Sequence, residues 1–297
     1  MAPSNRPHLI ELPVDRPGFN HFIGAWLLTG EVNAIVDVGP ANSAAGLLDA
    51  LDTLGLKRLD WILVTHIHID HVGGLAAVME KFPRARAVCH ARAIKYLVDP
   101  SRLWEGSLKV LGEVAEKAYG RPRAVPAERL TAHQAIDLEG LSVIETPGHA
   151  AHHLSFVWGE HLFAGEAGGN YFRIQDQDYL RPATPPRFIL EEALASVDRL
   201  TALGDREIYY GHLGRGEHSL PLLNRFRKQL LRWHRIVRNE HIAESSEDLE
   251  QRSIDALLLD DPELAAFDLM DPATRERERF FIGNSVRGYL GYIHGGA

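Results

Sequence analysis

The sequence predicts an α/β protein made of two βα halves whose sheets face each other, and three observations carry that expectation. Strand-type and helix-type periodicities alternate through the first half and again after the short strands of the middle. Trp61-Ile62-Leu63-Val64 is a continuous apolar run, the mark of a strand buried on both faces. Clusters of His, Asp and Glu fall directly after predicted strands, where open α/β sheets build their sites.

Taken in order, His21 to Leu28 and Val32 to Val38 read as two short strands joined at Thr29-Gly30-Glu31. Asn42 to Leu54 places Ala45, Leu48, Leu51 and Leu54 at helical spacing, with Asn42 as the cap and Gly55 as the stop. After the Trp61 strand comes a histidine-rich loop, then Gly73-Gly74 and a helix to Phe82. Ala85 to Cys89 is expected as a strand, and Ala91 to about Tyr119 as helix broken near Pro100. Ala135–Leu138, Leu141–Glu145, Leu154–Trp158 and Leu162–Ala164 read as short strands. Residues 166–187, with Gly168-Gly169 and Pro182, Pro185 and Pro186, read as a loop. Phe188 to Leu203 is helical and Glu207 to Tyr210 is the last strand.

From Leu220 the chain is mostly helical. Leu222, Phe226, Leu230, Trp233 and Val237 form an apolar stripe, and Arg225, Lys228, Arg232, Arg235 and Arg238 lie largely off it, as on a solvated face. Leu257–Leu259 and Phe280–Ile293 add apolar faces, and Asp271-Pro272 is a cap followed by proline at the first helical position. Without repeats or a low-complexity linker, the expected division is a catalytic domain over 1–215 and a mostly helical extension over 216–297 packed on it.

Composition narrows the partners. The chain has 297 residues, with 32 Lys and Arg against 40 Asp and Glu, a net charge of −8. That balance argues against nucleic acid, which needs a field of basic residues. The lone Cys89 allows no internal disulfide and fits a reducing, cytoplasmic compartment. No run approaches the ~18 apolar residues of a membrane helix, and Met1–Phe19, with Pro3, Pro7, Pro13 and Pro17, has no apolar signal-peptide core. The unusual feature is histidine, 16 in all and grouped rather than scattered.

Thr65-His66-Ile67-His68-Ile69-Asp70-His71-Val72-Gly73-Gly74 places four ligand-type side chains in six residues after the buried strand. Imidazole and carboxylate are the ligands of Zn, Fe and Mn. Residues two apart on an extended segment point the same way, so His66 and His68 can grip one ion while Asp70 and His71 face another position. Thr146-Pro147-Gly148-His149 presents His149 on a sharp turn and is trailed by His152 and His153. Glu166 and His212 each follow a further predicted strand.

These motifs resemble those of the metallo-β-lactamase superfamily. Residues 65–74 match its Thr-His-x-His-x-Asp-His-x-Gly-Gly signature in full, and the resemblance covers roughly residues 18–215. It implies an αββα four-layer sandwich, here with a C-terminal helical extension, and two divalent metal ions, zinc first with iron or manganese as alternatives. It implies that His66, His68 and His149 hold the first ion and Asp70, His71 and His212 the second. Asp37 would support the ligand loop, and His153 falls where glyoxalase II-like members carry a histidine. Glu166 stands where the family usually has a bridging aspartate. It has the same charge and one more methylene.

The resulting expectation is a hydrolase acting on a carboxylic ester, thioester or lactone through a metal-bound hydroxide, with Asp70 as the catalytic group that orients the nucleophile and shuttles a proton. Tyr171 is a candidate donor to the oxyanion, with packing as its competing role. The alternative is a non-hydrolytic iron protein, di-iron or mononuclear, on the same fold. Flavin-linked di-iron members typically carry glutamate at the position of His68, which favours the hydrolase. A non-enzymatic metal scaffold is the third reading. The expected partner is a small-molecule substrate, with no nucleic acid or membrane, and the C-terminal helices offer a homodimer seam. Only 63 residues separate His149 from His212, too few for the inserted domain of nuclease members. Glutathione-binding basic residues are not evident after residue 220, and no phosphate loop, serine elbow or Cys-x-x-Cys is present.

Overall fold

A computed structural model describes residues 6–243 and 248–295; Pro3, in the polar N-terminal stretch, lies outside them. The chain forms two compact units, one of Met1–Glu145 with His152–Phe163, the other of Thr146–Ala151 with Ala164–Ala297.

In the first unit β1 (His8–Leu12), β2 (Ile23–Leu28), β3 (Ala34–Val36), β4 (Trp61–Leu63), β5 (Arg86–Cys89) and β6 (Leu130–Ala132) lie side by side in that order. The first three are antiparallel, and β3 through β6 are parallel. Parallel neighbours need crossovers. These carry α1 (Ala44–Thr53), α2 (Ile69–Val72), α3 (Leu75–Lys81), α4 (Ile94–Val98) and α5 (Ser101–Leu111), with a π-helical turn over Val114–Tyr119. Ile62, Leu63, Ala87, Val88 and Cys89 are wholly buried, as the apolar run at Trp61 predicts. β7 (Leu141–Glu145), β8 (Leu154–Trp158) and β9 (His161–Gly165) follow as antiparallel neighbours, the end of β9 passing into the second unit. Burial pushes the Cys89 thiol up to about 12.

One strand lies in a segment for which the sequence predicts no element, and two expectations need correction. Residues 8–12 form a strand, because Ile10 and Leu12 alternate inward and pair with β2 in register His8↔Leu27 to Leu12↔Ile23. Asn42 does not cap α1; its amide donates to the carbonyls of Lys117 and Ala118, 3.2 Å each, and Ser43 holds the cap position. Ala135–Leu138 is not a strand. β5 pairs with Leu130–Ala132 instead, and Ile136 and Leu138 sit half-buried beyond a 3-10 turn over His133–Ala135.

The second unit holds β10 (Asn170–Ile174), β11 (Gln177–Arg181), α6 (Leu190–Thr201), β12 (Glu207–Tyr210), β13 (Arg215–Gly216), α7 (Ser219–Ala243), α8 (Leu249–Asp260) and α9 (Pro272–Ile293). The expected loop at 166–187 is largely a hairpin, β10 with β11, in which Tyr171 faces Leu180 and Phe172 faces Tyr179. Glycines before it and prolines after it masked its alternation. The basic face of α7 is also less solvated than its spacing suggests. Arg225 pairs with Glu263 and Asp178, and Arg232 with Asp261, whose carboxylate also accepts from Gln229 and Trp233. The cap at Asp271 forms as expected, accepting from the amides of Ala273 and Thr274 with Pro272 at the first turn. Among the described residues no helix is long and apolar enough to cross a membrane.

A buried ion cluster ties α9 to β11. Arg181 donates through Nε to Glu278, and Arg277 donates to its other oxygen at 2.9 Å, with all three side chains sealed from solvent. Burial opposes the Glu278 charge, yet Arg181 and Arg277 together hold its carboxyl below the usual range. Its stabilising contribution is therefore present above the unfolded carboxyl value of about 4.3 and disappears as pH falls through the lower folded value. Glu278→Gln should cost about 3–5 kcal/mol at pH 7, since it strands buried guanidinium charge. Urea unfolding at pH 7 and in acid checks this, and the gap between variant and native protein should narrow in acid.

Candidate metal centre

In the first unit the signature loop is anchored before it leaves the sheet. The Val64 amide still bonds Val88 O at 2.9 Å, one step past β4. Asp37, the residue after β3, adopts φ 56°, the left-handed region where Asp is tolerated. Its buried carboxylate accepts from the Thr65 amide at 2.9 Å, the Thr65 hydroxyl at 2.7 Å and His71 Nδ1 at 2.9 Å. The Thr65 hydroxyl, having given its proton to Asp37, accepts from His66 Nδ1 at 3.0 Å. These bonds assign the ring protons: His66 and His71 carry theirs on Nδ1, so Nε2 is the atom that could hold a metal. His66 Nε2 lies 3.0 Å from His68 Nδ1, and His71 Nε2 lies 3.8 Å from Asp70 Oδ2. The rings of His66 and His71 are 4.2 Å apart, and His153 packs on His66 at 5.2 Å.

In the second unit the turn before His149 is held against α6. Gly148 adopts φ 139°, and a Cβ there would sit 2.7 Å from Ala193 Cα, so the position admits glycine alone. Pro147 O accepts from the Ser196 hydroxyl. His149 Nδ1 donates to Ala183 O at 2.8 Å; a carbonyl only accepts, so the tautomer is forced. The Ala183 segment is clamped in turn, because the Thr184 amide and hydroxyl bond Ser285 at 3.2 Å each. A Cβ on Gly288 would fall 1.9 Å from Thr184 O, so α9 touches this segment backbone to backbone.

Glu166, at the end of β9 and 5% exposed, sits between two histidines. Its Oε2 is 2.7 Å from His149 Nε2 and its Oε1 is 3.4 Å from His212 Nε2. The amide of Gly211 bonds Gly165 O at 3.0 Å, which joins the loops carrying Glu166 and His212. With its proton on Nδ1, a neutral His149 directs a lone pair at a carboxylate oxygen, and two such acceptors repel unless a cation lies between them. The donor set thus fits a divalent cation, and the carboxylate of Glu166, with its extra methylene, faces both rings. Tyr171 has another commitment: its hydroxyl donates to Asp178 at 2.8 Å, and burial together with that carboxylate pushes it up to about 12.

The first unit therefore gathers Asp37, His66, His68, Asp70, His71 and His153, and the second gathers His149, Glu166 and His212, leaving Tyr171 with Asp178. Two contributors escaped the sequence. The Thr65 hydroxyl was visible in the motif, but its link to His66 was not. The Ala183 carbonyl, a backbone acceptor, has no residue-type signal at all.

The sequence profile of the metallo-β-lactamase superfamily matches residues 21–212, and the chain belongs to that superfamily. Its mixed α/β architecture with a helical C-terminal region is the fold of that family. The metallo-β-lactamase fold-containing protein ST1585 of Sulfurisphaera tokodaii is 28% identical over 264 residues, covering 84% of this chain and 94% of that protein. The crystal structure of ST1585 superposes with a TM-score of 0.70 at 23% identity, over 96% of this chain and 99% of that one. A hydroxyacylglutathione hydrolase of Cupriavidus taiwanensis is 33% identical over 189 residues, 62% of this chain and 59% of that protein. TTHA1623, solved in a di-iron-bound form, aligns with a TM-score of 0.50 at 25% identity, over 75% of this chain and 98% of that one.

Asp37→Ala removes the acceptor for two side chains and an amide. It should cost about 1–3 kcal/mol for each buried donor left unpaired and weaken metal binding about 10–100-fold. Urea unfolding and equilibrium dialysis against zinc measure the two effects.

Proposed function

We propose that this chain is a metal-dependent hydrolase of carboxylic esters, thioesters or lactones, with two divalent ions held by His66, His68 and His149 and by Asp70, His71 and His212. Zinc is the proposed ion and iron the alternative. The observation that carries this reading is the commitment of the outer ring nitrogens. Nδ1 of His66, His71 and His149 each donates to an acceptor supplied by the fold, which leaves Nε2 to ligate. Glu166 is assigned as the bridge, since its two oxygens address different histidines.

Ions bound there would supply a water whose pKa falls from 15.7 toward about 7 and a positive charge against the substrate's carbonyl oxygen. The remaining work belongs to the chain. Asp70, in the first turn of the short helix α2 and mostly covered at 13% exposure, would orient the attacking water and pass its proton to the leaving group. His71, fixed by Asp37, keeps its ring in one plane while that proton moves. The thioester choice leans on the relatives named hydroxyacylglutathione hydrolases.

The decisive experiment pairs elemental analysis of the isolated protein with a panel of thioesters, lactones, carboxylic esters and phosphoesters, assayed before and after chelation. Turnover should vanish with the chelator and return with zinc. Asp70→Ala should lose about 10²–10⁴ in kcat while at least one ion stays bound. Full activity in that variant removes Asp70 from the mechanism. An iron-coloured protein inactive on the whole panel would establish the non-hydrolytic alternative instead.

A further inference from the structure

Two parallel strands of the first unit, β5 and β6, end in step, and the edge they form carries histidines that the proposed centre does not use. β5 and β6 pair Cys89 with Ala132, so the next residues, His90 and His133, are neighbours across the ladder. Their rings stack with centroids 4.7 Å apart and planes 26° from parallel, the separation of adjacent strands. Both are buried, at 7% exposure. Glu145, the last residue of β7, reaches over them: its Oε1 lies 2.8 Å from His133 Nε2 and 3.8 Å from His90 Nε2. One ligand atom from each of the three lies within 4.8 Å of the others. The Glu145 side chain is itself half exposed, which gives the cluster access from solvent.

We propose that His90, His133 and Glu145 form a separate binding site for a transition-metal cation of the zinc class. Two imidazoles and a carboxylate, with a fourth position open to water, form a donor set such ions accept. Ligand atoms around a tetrahedral zinc stand about 3.4 Å apart, given bonds of about 2.0–2.1 Å. The 2.8 Å contact must open and the 3.8 Å contact close by a few tenths of an ångström, a movement within reach of the Glu145 side chain.

The proton positions rank the ligands. The Arg92 amide donates to His90 Nδ1 at 3.1 Å, so in the absence of an ion His90 carries its proton on Nε2, facing Glu145. To ligate, that proton moves to Nδ1 and the ring turns away from Arg92. His133 gives up nothing comparable, because its buried Nδ1 has no hydrogen-bond partner and can take the proton shifted from Nε2. His133 and Glu145 are thus the primary pair, and His90 completes the site. Burial and the neighbouring His133 also hold His90 below the usual imidazole value, which keeps it neutral and able to ligate near pH 7.

The test compares the full-length protein with Glu145→Gln and His133→Ala by zinc titration, elemental analysis after dialysis, and ¹⁵N NMR of the histidine rings. Glu145→Gln keeps a hydrogen-bond acceptor over the histidines but loses the anionic ligand. The native protein should bind one more equivalent of zinc than either variant, and the His133 ring signals should switch from the Nε2-protonated to the Nδ1-protonated pattern on loading. That difference reads this cluster alone, whatever the His66–His212 residues hold. Equal stoichiometry and affinity in native protein and Glu145→Gln, or His133 signals unmoved by saturating zinc, would overturn the proposal and leave the cluster as a hydrogen-bonded triad. Thermal unfolding of each variant guards against reading a folding defect as lost binding, and a Glu145→Gln protein that is folded and still retains the extra ion also refutes it.

Discussion

One carboxylate sets the geometry of the signature loop. Asp37 binds the amide and hydroxyl of Thr65, 28 residues away, and the ring of His71, 34 residues away. It can do so because β3 and β4 are parallel and end together, which brings both strand termini to one edge. The left-handed backbone at Asp37 aims its side chain along that edge. Through Thr65 the same carboxylate also decides which nitrogen of His66 is protonated. Without this bond network the three histidines of the loop would still be close, but their lone pairs would have no common direction.

The second unit reaches the same result by other means. His149 takes its orientation from a backbone carbonyl, and Glu166 divides its oxygens between His149 and His212. With His149 neutral, acceptors would stand face to face there, and a cation placed between them would relieve the repulsion.

Much of this was legible from local pattern. Trp61–Val64 declared a central strand because a strand covered on both faces has no polar side to show. The loop after it declared its ligands because extended backbone repeats every two residues. Glu207–Tyr210 and Leu141–Glu145 were found at the bounds the structure shows. What failed depended on partners distant in sequence. β6 was sought in the apolar pair Ile136 and Leu138, whereas the ladder with β5 selected Leu130–Ala132. The β10–β11 hairpin hid between glycines and prolines. His90 and His133 went unremarked because each is single in its own segment, and only the register makes them a pair. The arginines of α7 looked solvated because Asp178, Asp261 and Glu263 are far away in the chain.

The clamp between α9 and the Ala183 segment bears on how this chain can be shortened. Ser285 and Gly288 press on Thr184, the residue after the carbonyl that orients His149, and Glu278 neutralises Arg181 at the head of the same segment. The final helix is therefore a buttress for an imidazole about 130 positions upstream, not a detachable appendage. A natural variant that dispensed with it would have to evolve another prop for that carbonyl, and loss of the last helix alone would erode chemistry before it erased the sheets.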